Sequence, residues 1–212
     1  MSITLSLTII TVAISILGFY NNNVINQFIF TPYQVKRKNQ WYRFISSGFI
    51  HADIPHLLFN MVSLYMFSDF VESFFTMTFQ ENANIAYLGL YFFSLIVCLI
   101  PTYIKHQDHH YYRSLGASGA VSAVVFAGIF LQPTLQIGFF IIPPIIPGFV
   151  FGPIYLFITA YLSKTGRGNI NHSAHLWGSL FGIIYLIVTT RFMTHYNVIG
   201  AFVQQIEQYF KK

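Results

Sequence analysis

The sequence predicts an all-α membrane protein that folds as one domain over 1–212, a bundle of six transmembrane helices with a long interfacial first loop. Of the 212 residues, 55% are hydrophobic and only 8% are charged, whereas a soluble domain carries about 25% charged residues. Such a chain cannot cover a water-facing surface, which excludes a soluble enzyme and a disordered chain. A single cysteine, Cys98, excludes a fold held by internal disulfides.

Six apolar segments meet or approach the length of about 20 residues that a helix needs to cross a bilayer core. An even number of crossings puts both termini on one side of the membrane. The predicted spans are approximately Ile3 to Tyr20, Pro55 to Phe75, Ile85 to Tyr103, Ala117 to Leu131, Gly148 to Leu162 and Ser173 to Arg191.

Two connecting segments have distinctive compositions. The loop from Asn21 to Ile54 mixes aromatic and basic residues, which suits the lipid headgroup layer. Between the fourth and fifth spans, prolines remove backbone donors and clash with the preceding turn, so we expect an interfacial loop there. After the sixth span, residues 192–212 predict a short surface helix. The prolines of the second segment are Pro133, Pro143, Pro144 and Pro147.

Strongly polar side chains within spans are costly and usually face the protein interior or a water-filled cavity. The first such group opens the second span. Asp53 can cap this helix and Pro55 suits its first turn, after which His56 and Asn60 fall one turn apart on one face. They can point at a common site, or each can simply hydrogen-bond a neighbouring helix.

A second polar group, the sequence G-A-S-G at 116–119, opens the fourth span. Gly116 and Gly119 let another backbone approach closely, and the N–H of Ser118 lies at a helix start, where donors lack helical partners. This geometry suits an oxyanion site. A small-residue helix contact explains the same pattern, and the two interpretations are compatible.

The third group opens the sixth span, where His175 shares a helix face with Gly178 and Gly182. A glycine strip of this kind lets another helix pack closely, and the G-A-S-G segment is the obvious partner. Because a lone histidine within a span is often structural, the facing serine is what suggests chemistry here.

The second, fourth and sixth spans run in the same direction, and each polar group lies near the start of its span. We therefore expect His56, Asn60, Ser118 and His175 on one side of the membrane at a similar, shallow depth. A hydroxyl nucleophile, a base that can take its proton and donors for a developing oxyanion are the groups that acyl transfer requires.

In these residues the chain resembles the rhomboid family of intramembrane serine proteases. The resemblance covers nearly the whole chain, and the order and spacing of its motifs make it specific. The motifs are W-Y-R-F at 41–44, the series His51, His56 and Asn60, Glu72 at the end of the second span, G-A-S-G at 116–119, I-P-P-I-I-P-G-F-V-F-G at 142–152 and A-H-L-W-G-S-L-F-G at 174–182.

The resemblance implies a six-helix bundle with a water-filled cavity and a dyad that has no acidic third member. Ser118 would be the nucleophile and His175 the general base, and then the acid that protonates the leaving amine. His56, Asn60 and the backbone N–H of Ser118 would bind the oxyanion. The family's structural polar positions would be filled by His51, Arg43 and Glu72.

The resemblance also implies the partners. Substrates would be transmembrane helices, usually of single-pass proteins, cut near the membrane surface. From the aromatic residues of the fifth span we further expect that span to act as a mobile gate past which the substrate helix approaches laterally. Membrane lipid is the other partner. No metal, nucleotide or other cofactor is implied. Nucleic acid is not expected either, because the basic residues are thinly spread rather than clustered on a solvated face.

The family topology opens the active site to the extracytoplasmic side, and without a recognisable targeting peptide we expect a prokaryotic plasma membrane. The positive-inside rule predicts the opposite orientation, but a first loop in the headgroup layer can escape that rule, so we follow the family topology. Eight of the 11 basic residues would lie outside: Lys36, Arg37, Lys38, Arg43, Lys105, Arg113, Lys164 and Arg167.

The chain departs from the family pattern at Ser122. Many rhomboids carry an aromatic residue four positions after the nucleophile, and the catalytic imidazole stacks on it. Here either Ser122 bonds the ring of His175, or an aromatic residue from elsewhere fills the gap.

Two alternative functions stay open. A non-catalytic rhomboid-like protein would bind membrane helices without cutting them, although the retained Ser118 and His175 argue against it. A histidine-box di-iron membrane oxygenase would use the H-x-x-H-H pattern of His106, His109 and His110. That class needs a second such box, and the sequence does not contain one.

Overall fold

The computed structural model describes residues 2–139, 142–165 and 170–211; for Phe139 and residues 142–144 it describes the backbone alone. Arg167, one of the basic residues used above, lies outside these ranges. The elements are α1 (Ile3–Tyr20), α2 (Asn22–Phe28), α3 (Pro32–Lys38), α4 (Arg43–Ser46), α5 (Ile54–Phe79), α6 (Ala83–Val97), α7 (Ile100–His106), α8 (Ser118–Leu131), β1 (Gln136–Phe139), β2 (Ile142–Pro147), α9 (Gly148–Thr165), α10 (His172–Met193) and α11 (Val198–Phe210).

Each predicted span falls on a helix, and α1 has the predicted ends. The third span differs, because it is divided into α6 and α7. Pro101 lies in the first turn of α7, where its missing N–H costs nothing; in one continuous helix it would break the hydrogen bonding. α5 and α6 are antiparallel neighbours, joined by a turn in which Gln80 has a φ of 50°.

Length and composition make three helical runs, within the described ranges, able to cross a membrane. These are Ile3–Tyr20, Ile54–His106 and His172–Met193, and the second of them contains the antiparallel pair α5 and α6. α8 is apolar but shorter. The chain is therefore mostly helical, with several helices suited to a bilayer.

The segment between α1 and α5 is more ordered than the predicted loop. It folds into α2, α3, α4 and a 3-10 turn over Ser47–Phe49. Phe30 and Ser114 exchange backbone hydrogen bonds of 2.9 and 3.0 Å, so this segment is tied to the chain just ahead of α8.

The prediction of a loop between α8 and α9 is wrong, because β1 and β2 form an antiparallel hairpin. Pro143, Pro144 and Pro147 lie within β2. A strand of a two-stranded sheet has one unpaired edge, so a proline there removes no ladder bond if its nitrogen faces outward. The hairpin brings the chain back to the segment that follows α8, where Gly148 N donates to Leu135 O at 2.9 Å.

α8 lies at the centre of the bundle, against α5, α6 and α10. Ten of its 14 residues are buried, and most of them are small. The closest neighbour is α10. A Cβ on Gly178 would collide with the carbonyl oxygen of Gly119, and one on Gly182 with that of Ala123. This helix pair thus approaches to backbone contact, as the glycine strip predicted.

The predicted C-terminal surface helix is α11. It packs on the end of α8 through a stacked ring pair, Phe130 and Phe202, with centroids 4.4 Å apart. Gln205 also donates to the carbonyl of Leu131 at 3.0 Å. The last carbonyls of a helix lack helical donors, so α11 closes that end of α8.

Candidate active site

Ser118 is the first residue of α8, and a sharp turn at Gly116 places it there. Gly116 has a φ of 112°, a conformation that residues with a Cβ rarely adopt. A Cβ would also lie 2.7 Å from Cε1 of His56. The N–H of Gly116 donates to Ser47 O at 2.9 Å. The first turn of α8 is thereby fixed against both the α4 region and the start of α5.

His175 is in the first turn of α10, and Asn171 sets the position of that turn. The side-chain oxygen of Asn171 accepts from the N–H of Ala174 at 3.1 Å, which is the usual N-cap bond. Its amide nitrogen donates to the hydroxyls of Thr102 and Ser114 at 3.1 and 3.3 Å. The sequence prediction missed Asn171, although an asparagine ahead of an apolar helix is a recognisable cap signal.

The side chains of Ser118 and His175 meet, with Oγ and Nε2 2.7 Å apart. The two residues are 57 positions apart in the chain and come from the helix pair with the closest backbone approach. At this separation the hydroxyl can donate its proton directly to the imidazole. A hydroxyl so placed is an activated nucleophile once the ring accepts that proton.

Both side chains line a cavity of about 920 Å³ at one end of the bundle. His56 and Asn60 line the same cavity, so the structure brings together all four residues predicted to do chemistry. The starts of α5, α8 and α10 converge here. A cavity with convergent polar groups is the usual form of an active site.

His56 and Asn60 are held by the first two turns of α5. The N–H of His56 donates to Asp53 Oδ1 at 2.7 Å, so Asp53 is the predicted helix cap. Asn60, which is 2% exposed, donates from Nδ2 to the carbonyl of His56 at 2.9 Å. Because the amide nitrogen carries two hydrogens, this bond leaves capacity for a second acceptor.

His51 is fully buried and connects three parts of the chain. Its Nε2 accepts from the N–H of Ala117 at 3.3 Å, so its proton is on Nδ1, which lies 2.9 Å from Ser15 Oγ. Ser15 in turn donates to Phe49 O at 3.0 Å. The ring thus supports the backbone directly before Ser118.

Arg43 and Glu72 are polar groups that do not line the cavity. The buried Arg43 donates to Gln40 Oε1 and to the carbonyls of Asn26 and Ile29 at 2.7, 3.0 and 2.6 Å, and burial lowers its pKa. Glu72 accepts from the backbone and hydroxyl of Thr4, in the first turn of α1. Arg43 thus satisfies carbonyl groups at the end of α2, and Glu72 satisfies an N–H group at the start of α1; both kinds of group lack partners within their own helix.

At the departure from the family pattern, the structure supplies an aromatic residue from another helix. Tyr155 on α9 has its hydroxyl 3.5 Å from Nδ1 of His175, and the side chain of Ser122 interacts with that hydroxyl. The sequence analysis predicted the fifth span only as an aromatic gate for the substrate, without a contact to His175. No local pattern could have found this contact, because it depends on the packing of α9 against α10.

The histidine-box residues lie at the end of α7 and on the loop after it: His106 is the last residue of the helix, and His109 and His110 follow. The Nδ1 atoms of His106 and His109 are 2.9 Å apart, while the ring of His110 packs on Tyr33 at 3.8 Å. Asp108 pairs with Lys36 at 2.8 Å, which lowers the pKa of its carboxyl. In the part of the chain that the structure describes, no three side chains of the metal-binding types converge.

Fold and site together define a membrane-embedded helical bundle with a serine and a histidine in contact at one end. The model of the Rhomboid domain matches residues 38–192. The chain therefore belongs to the rhomboid family.

Three relatives show how far this similarity extends. The chain is 38% identical over 152 residues to RHOMBOID-like protein 12, mitochondrial, of Arabidopsis thaliana, covering 66% of this chain and 44% of the relative. With Rhomboid-like protein 11, chloroplastic, of the same plant, identity is 26% over 166 residues, covering 72% and 54%. With a candidate rhomboid protease of Bacillus subtilis it is 30% over 149 residues, covering 68% and 65%.

The chain spans about half the length of the plant relatives it matches. The names of these two relatives refer to a mitochondrion and a chloroplast. They therefore do not support the expectation of a prokaryotic plasma membrane. What the comparisons do support is a membrane protein of the rhomboid family.

Proposed function

We propose that the protein is an intramembrane serine endopeptidase that cuts transmembrane helices of other membrane proteins near the membrane surface. The observation that carries the proposal is the 2.7 Å contact between Ser118 Oγ and His175 Nε2, within a polar cavity at one end of the bundle. Family membership and the B. subtilis relative named as a candidate protease support it.

In the proposed reaction, His175 takes the proton of Ser118 as Oγ attacks the carbonyl carbon of the scissile peptide. The carbonyl oxygen becomes an oxyanion, stabilised by His56, Asn60 and the N–H of Ser118. His175 then protonates the leaving amine, and the C–N bond breaks to give an acyl-enzyme on Ser118. A water molecule, deprotonated by His175, attacks the acyl carbon, releases the carboxylic acid and restores the hydroxyl.

The proposed topology has six crossings, formed by α1, α5, α6 with α7, α8, α9 and α10. The cavity would then open on the side opposite the two termini, which in a plasma membrane is the extracytoplasmic side. The shallow position of the polar groups suits this arrangement, because hydrolysis of the acyl-enzyme needs water. Lipid would cover the exposed apolar faces of the outer helices.

The proposed substrates are single-pass proteins whose helix approaches from the lipid and unwinds at the cavity. α9 is the proposed gate. Only Gly148, Gly152 and Thr159 of its 18 residues are buried, and Phe157 is 75% exposed. A helix with so few buried side chains can move at lower cost than the central α8.

The proposal is tested by cleavage of a model single-pass substrate in liposomes. We expect the wild-type protein to cut it, and Ser118→Ala and His175→Ala to leave it intact while still folding. Ser163→Ala is the matched control, because Ser163 lines the same cavity and is not part of the proposed machinery. If the wild type binds the substrate helix and cuts nothing, the protein is instead a non-catalytic member of the family.

A further inference from the structure

Tyr155 on α9 contacts the histidine of the proposed dyad. Its ring is half-buried and packs between Phe126 on α8 and Phe151 on α9, with centroids 5.4 and 5.7 Å away. This packing fixes the ring and leaves the hydroxyl 3.5 Å from Nδ1 of His175. The tyrosine therefore reaches the imidazole on the side opposite Ser118.

The proposed reaction determines which of the two atoms, Nδ1 of His175 or the oxygen of Tyr155, donates the hydrogen bond. To take the proton of Ser118, Nε2 of His175 must be unprotonated, so the neutral ring must carry its proton on Nδ1. A ring with the other tautomer cannot act as the base. The N–H at Nδ1 then needs an acceptor, and the oxygen of Tyr155 is within reach.

The tyrosine hydroxyl has capacity to accept this bond, because two other hydroxyls are near enough to take its own proton. Ser122 and Thr159 both interact with the side chain of Tyr155. Ser122 lies one turn after Ser118 on α8, and the buried Thr159 lies one turn after Tyr155 on α9. Donation to either hydroxyl leaves the lone pairs of Tyr155 for His175.

We propose that Tyr155 is the positioning residue of His175: it holds the imidazole in the tautomer protonated on Nδ1 and supports the charged ring that forms during the reaction. This inference rests on the proposed serine protease function. The phenol oxygen occupies the place that a carboxylate fills in a three-residue triad. Because Tyr155 belongs to α9, a gate that swings outward also removes this support, and its return restores it.

Other titratable and charged groups line the same cavity as His175 and contribute to the electrostatic field at its ring. They do not contact Nδ1 in the described structure, but each changes the field there. They are His56 and Asp53 at the start of α5, Lys105 and His106 on α7, Arg113 ahead of α8, and His172 on α10, whose ring centroid is 6.1 Å from that of His175.

The test replaces Tyr155 by phenylalanine, which keeps the ring and its packing and removes the oxygen. Two rates are measured: cleavage of the single-pass substrate, and labelling of Ser118 by a fluorophosphonate, a small reagent that does not need α9 to move. We expect kcat and the labelling rate to fall together by about five- to tenfold, the effect of one hydrogen bond, with KM unchanged.

The pH profile separates positioning from a purely structural role. Without the acceptor, the protonated ring is less favoured, so the acidic limb of kcat/KM moves to lower pH, by up to about one unit. The matched control is Tyr185→Phe on α10, which removes one hydroxyl bond, to Ala86 O at 2.9 Å, far from the cavity. This control should leave both rates and the profile as in the wild type.

The outcomes are distinct. If wild-type Ser118 is not labelled at all, the proposed function fails. Should the wild type be labelled and Tyr155→Phe match it in rate and profile, the inference is wrong; a change confined to KM for the membrane substrate would make Tyr155 a gate residue only. ¹⁵N NMR of the wild type is an independent check, because finding neutral His175 protonated on Nε2 would overturn the inference.

Discussion

At the scale of single residues, the groups around Ser118 differ in how much of the reaction depends on them. In the proposed reaction Ser118 and His175 exchange the proton, so neither would have a substitute within reach. The proposed oxyanion binding is instead shared between His56, Asn60 and a backbone N–H. Loss of a shared donor weakens transition-state binding without removing the nucleophile.

Asn60→Ala is therefore expected to lower kcat by about 10²- to 10³-fold, the usual cost of one oxyanion donor, and to retain turnover above that of Ser118→Ala. Initial cleavage rates in liposomes measure this. Full wild-type activity would show that Asn60 is not an oxyanion donor. Complete inactivity in a folded variant would show that its role is larger than that of one donor.

His51 acts through the backbone rather than the cavity. His51→Phe removes the acceptor of Ala117 N–H and the partner of Ser15. A buried polar group left without a partner costs about 1–3 kcal/mol, so we expect a lower midpoint of thermal unfolding together with lower activity. The exposed His109 gives a control, since His109→Phe should change the midpoint little. A His51 variant as stable as the wild type would contradict this role.

The residue scale also shows what the sequence could reveal. His56, Asn60, Ser118 and His175 were predictable because each stands at the start of a span, so helix direction alone brings them together. Tyr155 was not, because its contact with His175 depends on how α9 packs, and nothing in its local sequence marks that orientation.

At the scale of helices, the contact between α8 and α10 determines whether the dyad can form. Gly178 and Gly182 face the carbonyls of Gly119 and Ala123 so closely that no side chain fits. This contact sets the distance between the two helices and hence the distance between Ser118 and His175. The glycine spacing in the sequence was sufficient to predict it.

Gly178→Ala is expected to push α10 away from α8. Overpacking of this kind costs about 1–3 kcal/mol, and a shift of even about 1 Å at the dyad lowers the rate on the order of 10²-fold. Thermal unfolding and cleavage rates measure the two effects. Gly152→Ala on α9 is the matched control, because its Cβ would meet Phe126 at an ordinary 3.6 Å. Equal behaviour of the two variants would contradict the account.

Element boundaries were less predictable where local residue preferences compete with long-range pairing. The prolines around β2 suggested an irregular loop, yet proline is tolerated at the free edge of a hairpin, and the sequence gives no sign of the pairing of Gln136 with Pro147. The short helices of the segment from 21 to 53 were not predictable either, for the same reason. They are fixed by Arg43 and by the bridge between Phe30 and Ser114, which are long-range contacts.

At the scale of the whole molecule, the proposed six crossings would place the two ends of the bundle on opposite sides of the membrane. The cavity and the exposed Tyr111 belong to one end, and the C-terminal residues to the other. The only cysteine, Cys98, is 2% exposed, so it does not interfere with labelling of an introduced cysteine.

Tyr111→Cys and Lys211→Cys are expected to react with a membrane-impermeant maleimide from opposite sides of the membrane. In intact bacterial cells that carry the expressed protein in their plasma membrane, the proposed extracytoplasmic cavity predicts that the first variant is labelled directly and the second only after permeabilisation. The reverse pattern would follow the positive-inside rule and invert the molecule. Labelling of both from one side would contradict the proposed six crossings.

The central claim is that Ser118 is a nucleophile activated by His175. A fluorophosphonate reacts much faster with an activated serine than with an ordinary one. We therefore expect the wild-type protein in liposomes to be labelled, mass spectrometry to locate the adduct on Ser118, and both Ser118→Ala and His175→Ala to remain unlabelled. An unlabelled wild type, or an adduct that persists in Ser118→Ala, would contradict the account.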